Sequence, residues 1–150
     1  MRRLGYCSRQ RDGVLRPYVK SAKAATTAGS LPRASEAAVD PAKFVDYSMN
    51  PANPGNQGKW IAFAELGYDV STPEGRRVGF AHILQQVTAA LPCALAGDPF
   101  PTPYGSRYRV KIEILGLNQK KGTLVTVWQV DKESLIPRLV TNWLEVHNDE

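Results

Sequence analysis

The sequence predicts an α+β domain in which N-terminal helices pack on a three- to four-stranded antiparallel meander sheet. Apolar residues recur at helical spacing between residues 57 and 91, and they alternate at strand spacing after residue 107. The connections between the predicted strands are short, which favours antiparallel neighbours. A chain of 150 residues has the length of one domain.

Residues 1–40 are expected to form a disordered basic tail or linker, and residues 41–150 the single α+β domain. The first segment holds eight of the nineteen basic residues and three of the fourteen acidic ones, so it carries the whole net charge of +5. Residues 19–39 contain few large apolar side chains and therefore have little surface to bury. Such a tail would add non-specific phosphate affinity or would simply be solvated.

The helical half begins with a short apolar segment around Phe44, Val45 and Tyr47, which predicts one helical turn or a docking strand. The segment 50–58 is rich in Asn, Pro and Gly. Proline keeps the residue before it out of the α region, and Asn and Gly favour turns, so this segment is predicted to be an ordered loop.

Two helices follow this loop. The first is predicted over Gln57–Leu66, with Asn56 as its N-cap and Gly67 just after its end. The second is predicted from about Thr72 to Leu91, because Ser71 and Glu74 have capping-box spacing and an apolar stripe follows them. The proline-rich stretch 92–103 is predicted to be a loop.

Three strands make up the predicted sheet. In Arg107–Leu115 apolar residues alternate with charged ones, which indicates a strand with one solvent-facing side. Thr123–Val130 is apolar on both sides and is therefore predicted to be central. Arg138–Val146 is the third strand, and a turn at residues 116–122 joins the first two.

Lys59 is the most informative single residue in the helical half. It would lie in the first turn of a helix, where the helix dipole disfavours a cation unless an anion is bound. With free backbone N–H groups and two glycines nearby, it could hold phosphate. The alternative is a solvated lysine whose aliphatic stem covers Trp60.

A cationic sheet face is the second candidate site. Arg107, Arg109 and Lys111 share one face of the first strand, and Arg138 and either Thr126 or Thr141 could join them if the register permits. Such a face suits phosphate contact and base stacking, and it could stabilise a phosphoryl transition state without a metal. The alternative is an ordinary polar sheet face.

His147 and Tyr104 are further candidates. His147 lies at the end of a strand and could act as an acid–base group near neutral pH, or it could be a frayed terminal residue. Tyr104 could stack on a ligand, or it could only form the turn before the first strand.

No cofactor or metal is expected. The sequence has no P-loop motif, no grouped carboxylates and no pair of His or Cys residues at zinc spacing. Cys7 and Cys93 are expected to be unlinked thiols, which favours a reducing, cytoplasmic compartment. No apolar run approaches the roughly eighteen residues of a membrane span, so no membrane partner is expected.

Several short motifs together resemble a bacterial domain of unknown function that occurs in prophage, mobile-element and polymorphic-toxin proteins. The residues that carry the resemblance are Tyr47-x-x-Asn50-Pro51, Gly58-Lys59, Phe63, Leu66-Gly67-Tyr68, Tyr104-Gly105, Val127-Trp128 and Pro137-Arg138-Leu139-Val140-Thr141. The resemblance implies helices packed on an antiparallel sheet, a layout similar to that of the barnase–EndoU–colicin–RelE group of metal-independent ribonucleases.

Two functions are expected from these observations. In the first, a toxin-type domain binds or cleaves RNA, with catalytic candidates Lys59, Arg107, Arg138, Thr141 and His147. Asn50, Tyr104 and Trp128 would then be binding residues. In the second, the domain is a non-catalytic module of a phage or mobile-element protein that binds a protein partner such as an immunity protein.

Overall fold

The computed structural model describes residues 29–147, and its architecture confirms the predicted α+β class. Helices cover one face of a single four-stranded antiparallel sheet. The helical elements are a 3-10 turn at Ala34–Glu36, a π-helix at Lys43–Ser48, a 3-10 turn at Pro54–Asn56, helix α1 at Trp60–Glu65, helix α2 at Pro73–Ala90 and a 3-10 turn at Leu91–Cys93.

The sheet is a meander in the order β1-β2-β3-β4. The strands are β1 at Phe100–Thr102, β2 at Gly105–Leu115, β3 at Lys121–Asp131 and β4 at Arg138–Val146. β3 pairs with both β2 and β4, as its apolar character on both faces predicts. β1 was not predicted, because prolines lie in and around it; it pairs with β2 through a tight hairpin and forms an edge strand.

The core lies between the helices and the inner face of the sheet. Val110, Ile112 and Ile114 of β2 point into it, together with apolar residues from both helices and from β3 and β4. Trp128 of β3 is completely buried there. The alternation of side chains along a strand therefore sends the odd-numbered residues of β2 to the opposite face.

The first turn of α1 differs from the prediction. Asn56 is buried, and its side-chain amide donates to the carbonyls of Tyr47 and Asn50 at 2.6 and 2.8 Å. It therefore closes the loop 46–58 upon itself, and α1 begins only at Trp60, after Lys59. The longer helix α2 is capped by Thr72, whose hydroxyl accepts from the Gly75 amide, so the N-cap is one residue later than Ser71.

Gly67 ends α1 as the sequence predicts. Its φ of 94° lies in the left-handed region, where a side chain would be strained. A Cβ atom there would also lie 2.9 Å from the backbone nitrogen of Asn118 in the β2–β3 turn. Asn118 in turn donates its side-chain amide to the Glu65 carbonyl at 2.9 Å, which ties the turn to the end of the helix.

Residues 29–40 belong to the folded domain, which corrects the boundary predicted at residue 41. Leu31 is only 3% exposed and is part of the core cluster. Ala38 forms a bridge with Arg138 of β4, with its amide donating to the Pro137 carbonyl at 2.8 Å. The remainder of the predicted tail, residues 1–28, lies outside the described residues. Within residues 29–147, no helix has the length and apolar character needed to span a membrane.

Candidate functional site

The sheet has a second face, opposite the helices, on which Val125 and Val127 of the central strand are buried and the flanking strands carry polar and charged side chains. We call "outer face" the side of the sheet that carries the odd-numbered residues of three strands. These are residues 107–113 of β2, 121–129 of β3, and 141–147 of β4 and the position that follows it. The register places Arg109, Val127 and Thr141 side by side across the three strands, and likewise Lys111, Val125 and Trp143. None of these residues belongs to the core cluster that holds the apolar side chains of both helices.

Lys59 reaches this face across the edge of β4. Its Nζ donates to the hydroxyls of Thr141 and Tyr47, at 3.3 Å each. The same atom lies 4.9 Å from the centre of the Tyr47 ring and 5.7 Å from the centre of the Trp143 ring. The structure therefore brings two of the predicted catalytic candidates, Lys59 and Thr141, into direct contact.

The Asn- and Pro-rich loop holds Lys59 in this position. Asn50 accepts from the Ala52 amide with its side-chain oxygen, and Asn53 caps the 3-10 turn by accepting from the Gly55 amide. Asn50, a predicted binding residue, thus uses its side chain within the loop. α1 has only six residues, and Lys59 precedes it as the N-cap without a side-chain capping hydrogen bond.

Trp143 lies between two cations on the outer face. The guanidinium carbon of Arg109 is 5.9 Å from the centre of the Trp143 ring, and Lys59 approaches the same ring. Both distances are within the range of cation–π attraction. Trp143 was predicted as part of a strand and was missed as a site residue, because its proximity to Lys59 depends on how the loop crosses the sheet edge.

Five cations on this side of the sheet have no carboxylate partner within 4.0 Å among residues 29–147. They are Lys59, Arg107, Arg109, Lys111 and Lys121. Arg107 donates its Nε to the Gln129 side chain at 2.9 Å, which leaves the rest of its guanidinium available. Unpaired cations grouped on one surface favour an anionic ligand, because binding the anion supplies the charge partners they lack.

Arg138 lies across the sheet from Arg107, because Gln129 of β3 pairs with both residues, and with Tyr104 it borders the corner between the β1–β2 and β3–β4 connections. Arg138 donates its Nε to Asp131 at 3.3 Å and is thus paired, unlike Lys59. Both residues line a surface pocket of about 440 Å³, together with Asp131, Lys132 and Glu133. Tyr104 is 74% exposed, and the second carboxylate oxygen of Asp131 is buried without a hydrogen-bond donor in the described residues.

His147 lies at the far end of the outer face. Its Nε2 is 2.7 Å from the Thr123 hydroxyl, which donates to Glu113 at 3.0 Å. His147 and Thr141 are six residues apart, about 20 Å along an extended chain. The predicted catalytic residues therefore do not all meet at one centre. Lys59 contacts Thr141, Arg107 and Arg138 flank Gln129, and His147 lies at the opposite end of the face.

Trp128 cannot stack on a ligand, contrary to its predicted binding role. It is 0% exposed, and its indole N–H donates to the Thr126 hydroxyl at 2.8 Å. Thr126 in turn donates to the Val110 carbonyl at 2.7 Å. The tryptophan belongs to the inner face because it lies one residue away from the outer-face positions 127 and 129.

Two other residues outside the outer face also bear on the predictions. Cys93 is disulfide-bonded, so the prediction of an unlinked thiol is wrong. The prediction of a reducing compartment, which was based on free thiols, therefore loses its support. His82 on α2 is partly buried, and its Nδ1 lies 2.7 Å from the Tyr68 hydroxyl. Burial raises the pKa of Tyr68 to about 12.

No group of three or more His, Cys, Asp or Glu side chains in the described part of the chain is arranged to hold a metal ion. The outer face presents cations, hydroxyls, aromatic rings and the imidazole of His147.

Comparison with known proteins places the chain in a family. Residues 30–145 match the model described as a domain of unknown function, DUF6883, and the chain belongs to that family. The expected relation to a domain of unknown function is thus confirmed, and the match begins eleven residues before residue 41, where the domain was predicted to start. No curated protein matches the chain.

One similar solved structure is a chain of the contact-dependent growth inhibition toxin–immunity protein complex from Klebsiella pneumoniae 342. The two chains are 17% identical and superpose with a TM-score of 0.52 over 71% of this chain and 98% of the other. At this identity the likeness concerns the fold alone.

Proposed function

We propose that the outer face binds RNA and that the domain is a metal-independent ribonuclease of toxin type. The observation that carries the proposal is the group of five cations without carboxylate partners, two of which flank the Trp143 ring. RNA has a binding partner for both kinds of side chain in this group, the cations and the aromatic ring. Its phosphates are anions, and its bases have flat faces that stack on aromatic rings and guanidinium planes.

The arrangement of cations suits an extended single strand. Arg107, Arg109 and Lys111 follow one another along β2 on the same face, about 7 Å apart at two residues per step. Proteins that bind single strands combine such a row of cations with aromatic stacking platforms. Trp143 and Tyr47 supply the aromatic rings beside the row.

Lys59 and Thr141 would bind one phosphate together. The Thr141 oxygen accepts a hydrogen bond from Lys59, so the hydroxyl proton remains available for donation to a phosphate oxygen. The ammonium group of Lys59 has three protons and uses two of them on Thr141 and Tyr47, which leaves the third for the same phosphate. Arg107 would neutralise a neighbouring phosphate.

A second candidate function is a protein-interaction module, with an immunity protein as the kind of partner. Its support is the corner around Arg138, where the exposed Tyr104 and the half-exposed Leu135 offer apolar contact. Asp131 there has an oxygen that lacks a donor. The similar fold in a toxin–immunity protein complex is compatible with this function and with the first.

The experiment is an RNA cleavage assay in EDTA, joined to a binding measurement by fluorescence anisotropy with a labelled single-stranded RNA. The full chain is compared with Lys59→Met, Arg109→Met and Arg138→Met. Arg77→Met, on the exposed surface of α2, is the matched control because it also removes one positive charge.

We expect cleavage by the parent and the Arg77 variant, and weaker binding by the Lys59 and Arg109 variants. A folded parent that neither binds nor cleaves RNA would contradict the proposal. In that case a pull-down with the parent and the three variants would test the interaction module. A protein partner that binds the parent and fails to bind only the Arg138 variant would favour it.

A further inference from the structure

The strongest unassigned group on the outer face is the chain of contacts Glu113–Thr123–His147. Thr123 is 9% exposed and lies between the other two, whose side chains are solvent-accessible at 72% for Glu113 and 35% for His147. The three residues come from β2, from β3 and from the residue that follows β4. One ionisable side chain therefore lies on each side of the buried Thr123 hydroxyl.

The proton positions follow from the donor and acceptor chemistry. The Thr123 hydroxyl has a single proton, which it donates to the Glu113 carboxylate at 3.0 Å. Its oxygen must then accept at the 2.7 Å contact with His147, so His147 carries a proton on Nε2. The Glu113 carboxylate also lies 3.5 Å from the same nitrogen. Both contacts are therefore made to Nε2, and Nδ1 is left to react.

We infer that His147 is the acid–base residue of the proposed RNA cleavage, with Nδ1 as the reacting atom, and that Thr123 and Glu113 are its positioning residues. This inference rests on the proposed function. A hydroxyl and a carboxylate that hold one imidazole nitrogen fix the tautomer and stabilise the imidazolium formed when the other nitrogen takes a proton.

The step that this geometry serves is transfer within the RNA strand. The 2′ oxygen of a ribose attacks the adjacent phosphorus, its proton passes to His147 Nδ1, and the bond from phosphorus to the 5′ oxygen breaks. The departing 5′ oxygen takes a proton from water, and His147 later returns its proton to solvent. The products are a 2′,3′-cyclic phosphate and a 5′ hydroxyl, and no metal or oxidant takes part.

The surrounding charges suit this role. Lys111 and Lys121 lie two residues before Glu113 and Thr123 on the same face of their strands, where they would attract the phosphate. Glu145 is the remaining carboxylate on this part of the face, and it accepts from the Trp143 indole at 3.2 Å. Because Glu145 is also the register partner of Thr123, the control for the loss of one negative charge is the exposed Glu74 at the start of α2.

The first measurement is single-turnover cleavage in EDTA by the full chain. We expect His147→Gln to lower the rate constant about 10²- to 10³-fold, with the RNA dissociation constant changed less than about twofold. Thr123→Val and Glu113→Gln should each lower it roughly tenfold. Thr123→Ser, which keeps the hydroxyl, and Glu74→Gln, on the exposed surface of α2, should stay near the parent rate.

The second measurement is the tautomer of His147 by ¹H–¹⁵N NMR, which requires no activity. We expect the Nε2–H form in the parent and in Thr123→Ser, and a mixture of tautomers in Thr123→Val. A merely structural role of Thr123 would change the folding stability without changing the tautomer.

The outcomes separate this inference from the proposed function. RNA cleavage by His147→Gln at the parent rate, or a linear rather than cyclic phosphate product, would overturn the inference and leave RNA cleavage standing. Binding without cleavage by the parent would also overturn it. If the parent neither bound nor cleaved RNA, the proposed function and this inference would both be rejected, and the NMR result would then describe only a structural contact.

Discussion

Lys59 Nζ lies 3.3 Å from the hydroxyl oxygen of Thr141, although the two residues are 82 positions apart in the chain. The contact exists because a loop closed by the buried Asn56 carries Lys59 across the edge of β4. It ties the helical half of the domain to the outer face of the sheet. A change in either residue should therefore alter ligand binding at this face more than it alters the core.

We expect Lys59→Met to weaken RNA binding and to reduce its dependence on salt. Each phosphate contact by a cation contributes about 0.7 to the slope of log K against log salt for a single strand. Anisotropy titrations between low and moderate salt should therefore give a slope smaller by roughly that amount than the parent's, while Arg77→Met leaves it unchanged. An unaltered slope in Lys59→Met would mean that Lys59 does not contact phosphate.

The parts of the fold that depend on local sequence were predictable. The periodicity of Arg107–Leu115 and Arg138–Val146 gave strands that the structure has almost unchanged, because one buried face imposes a period of two. β1 was missed because it is held by its partner strand and not by its own composition.

The candidate site was predictable only in part. Lys59 and Thr141 were selected separately from their sequence motifs, but their contact depends on the crossing of the loop over the sheet edge. Trp128 was predicted to bind ligand and Trp143 was not. Both lie in apolar strands, and only the register decides which one faces outwards. Glu113 and Thr123 have no distinctive sequence signal, because the hydrogen-bond chain to His147 spans three strands.

Leu31 is expected to contribute to stability as a core residue. We expect Leu31→Ala to lower the free energy of unfolding by about 2–4 kcal/mol, because removing the buried leucine side chain leaves a cavity in the core. Urea denaturation followed by tryptophan fluorescence would measure it. Leu95→Ala, at a side chain that is 75% exposed, should change the value by less than about 0.5 kcal/mol. Equal effects of the two substitutions would contradict the placement of Leu31 in the core.

Tyr68 should make the domain less stable at high pH. Its pKa is raised to about 12 by burial, while the unfolded chain has the ordinary value near 10. Between pH 10 and pH 12 the unfolded state loses this proton and the folded state keeps it, so stability falls as the pH rises.

The measurement is the difference in unfolding free energy between the parent and Tyr68→Phe at pH 9 and at pH 11.5. The parent should lose roughly 1–2 kcal/mol more than the variant over this range. Contributions of the other tyrosines and the lysines cancel in the comparison. A difference that does not depend on pH would show that the phenol ionises as readily in the folded chain as in the unfolded one.

Trp143 is the expected stacking platform of the outer face, because it lies between Lys59 and Arg109 and is only partly buried. We expect Trp143→Ala to weaken the binding of single-stranded RNA by about 1–3 kcal/mol, which corresponds to the loss of one stacked base. Trp143→Phe keeps a flat ring and should recover a large part of that loss. Abasic RNA, which has phosphates but no bases, should bind the parent and Trp143→Ala alike. If Trp143→Ala weakened both RNAs equally, Trp143 would be orienting Lys59 and Arg109 towards phosphates, and the stacking role would be rejected.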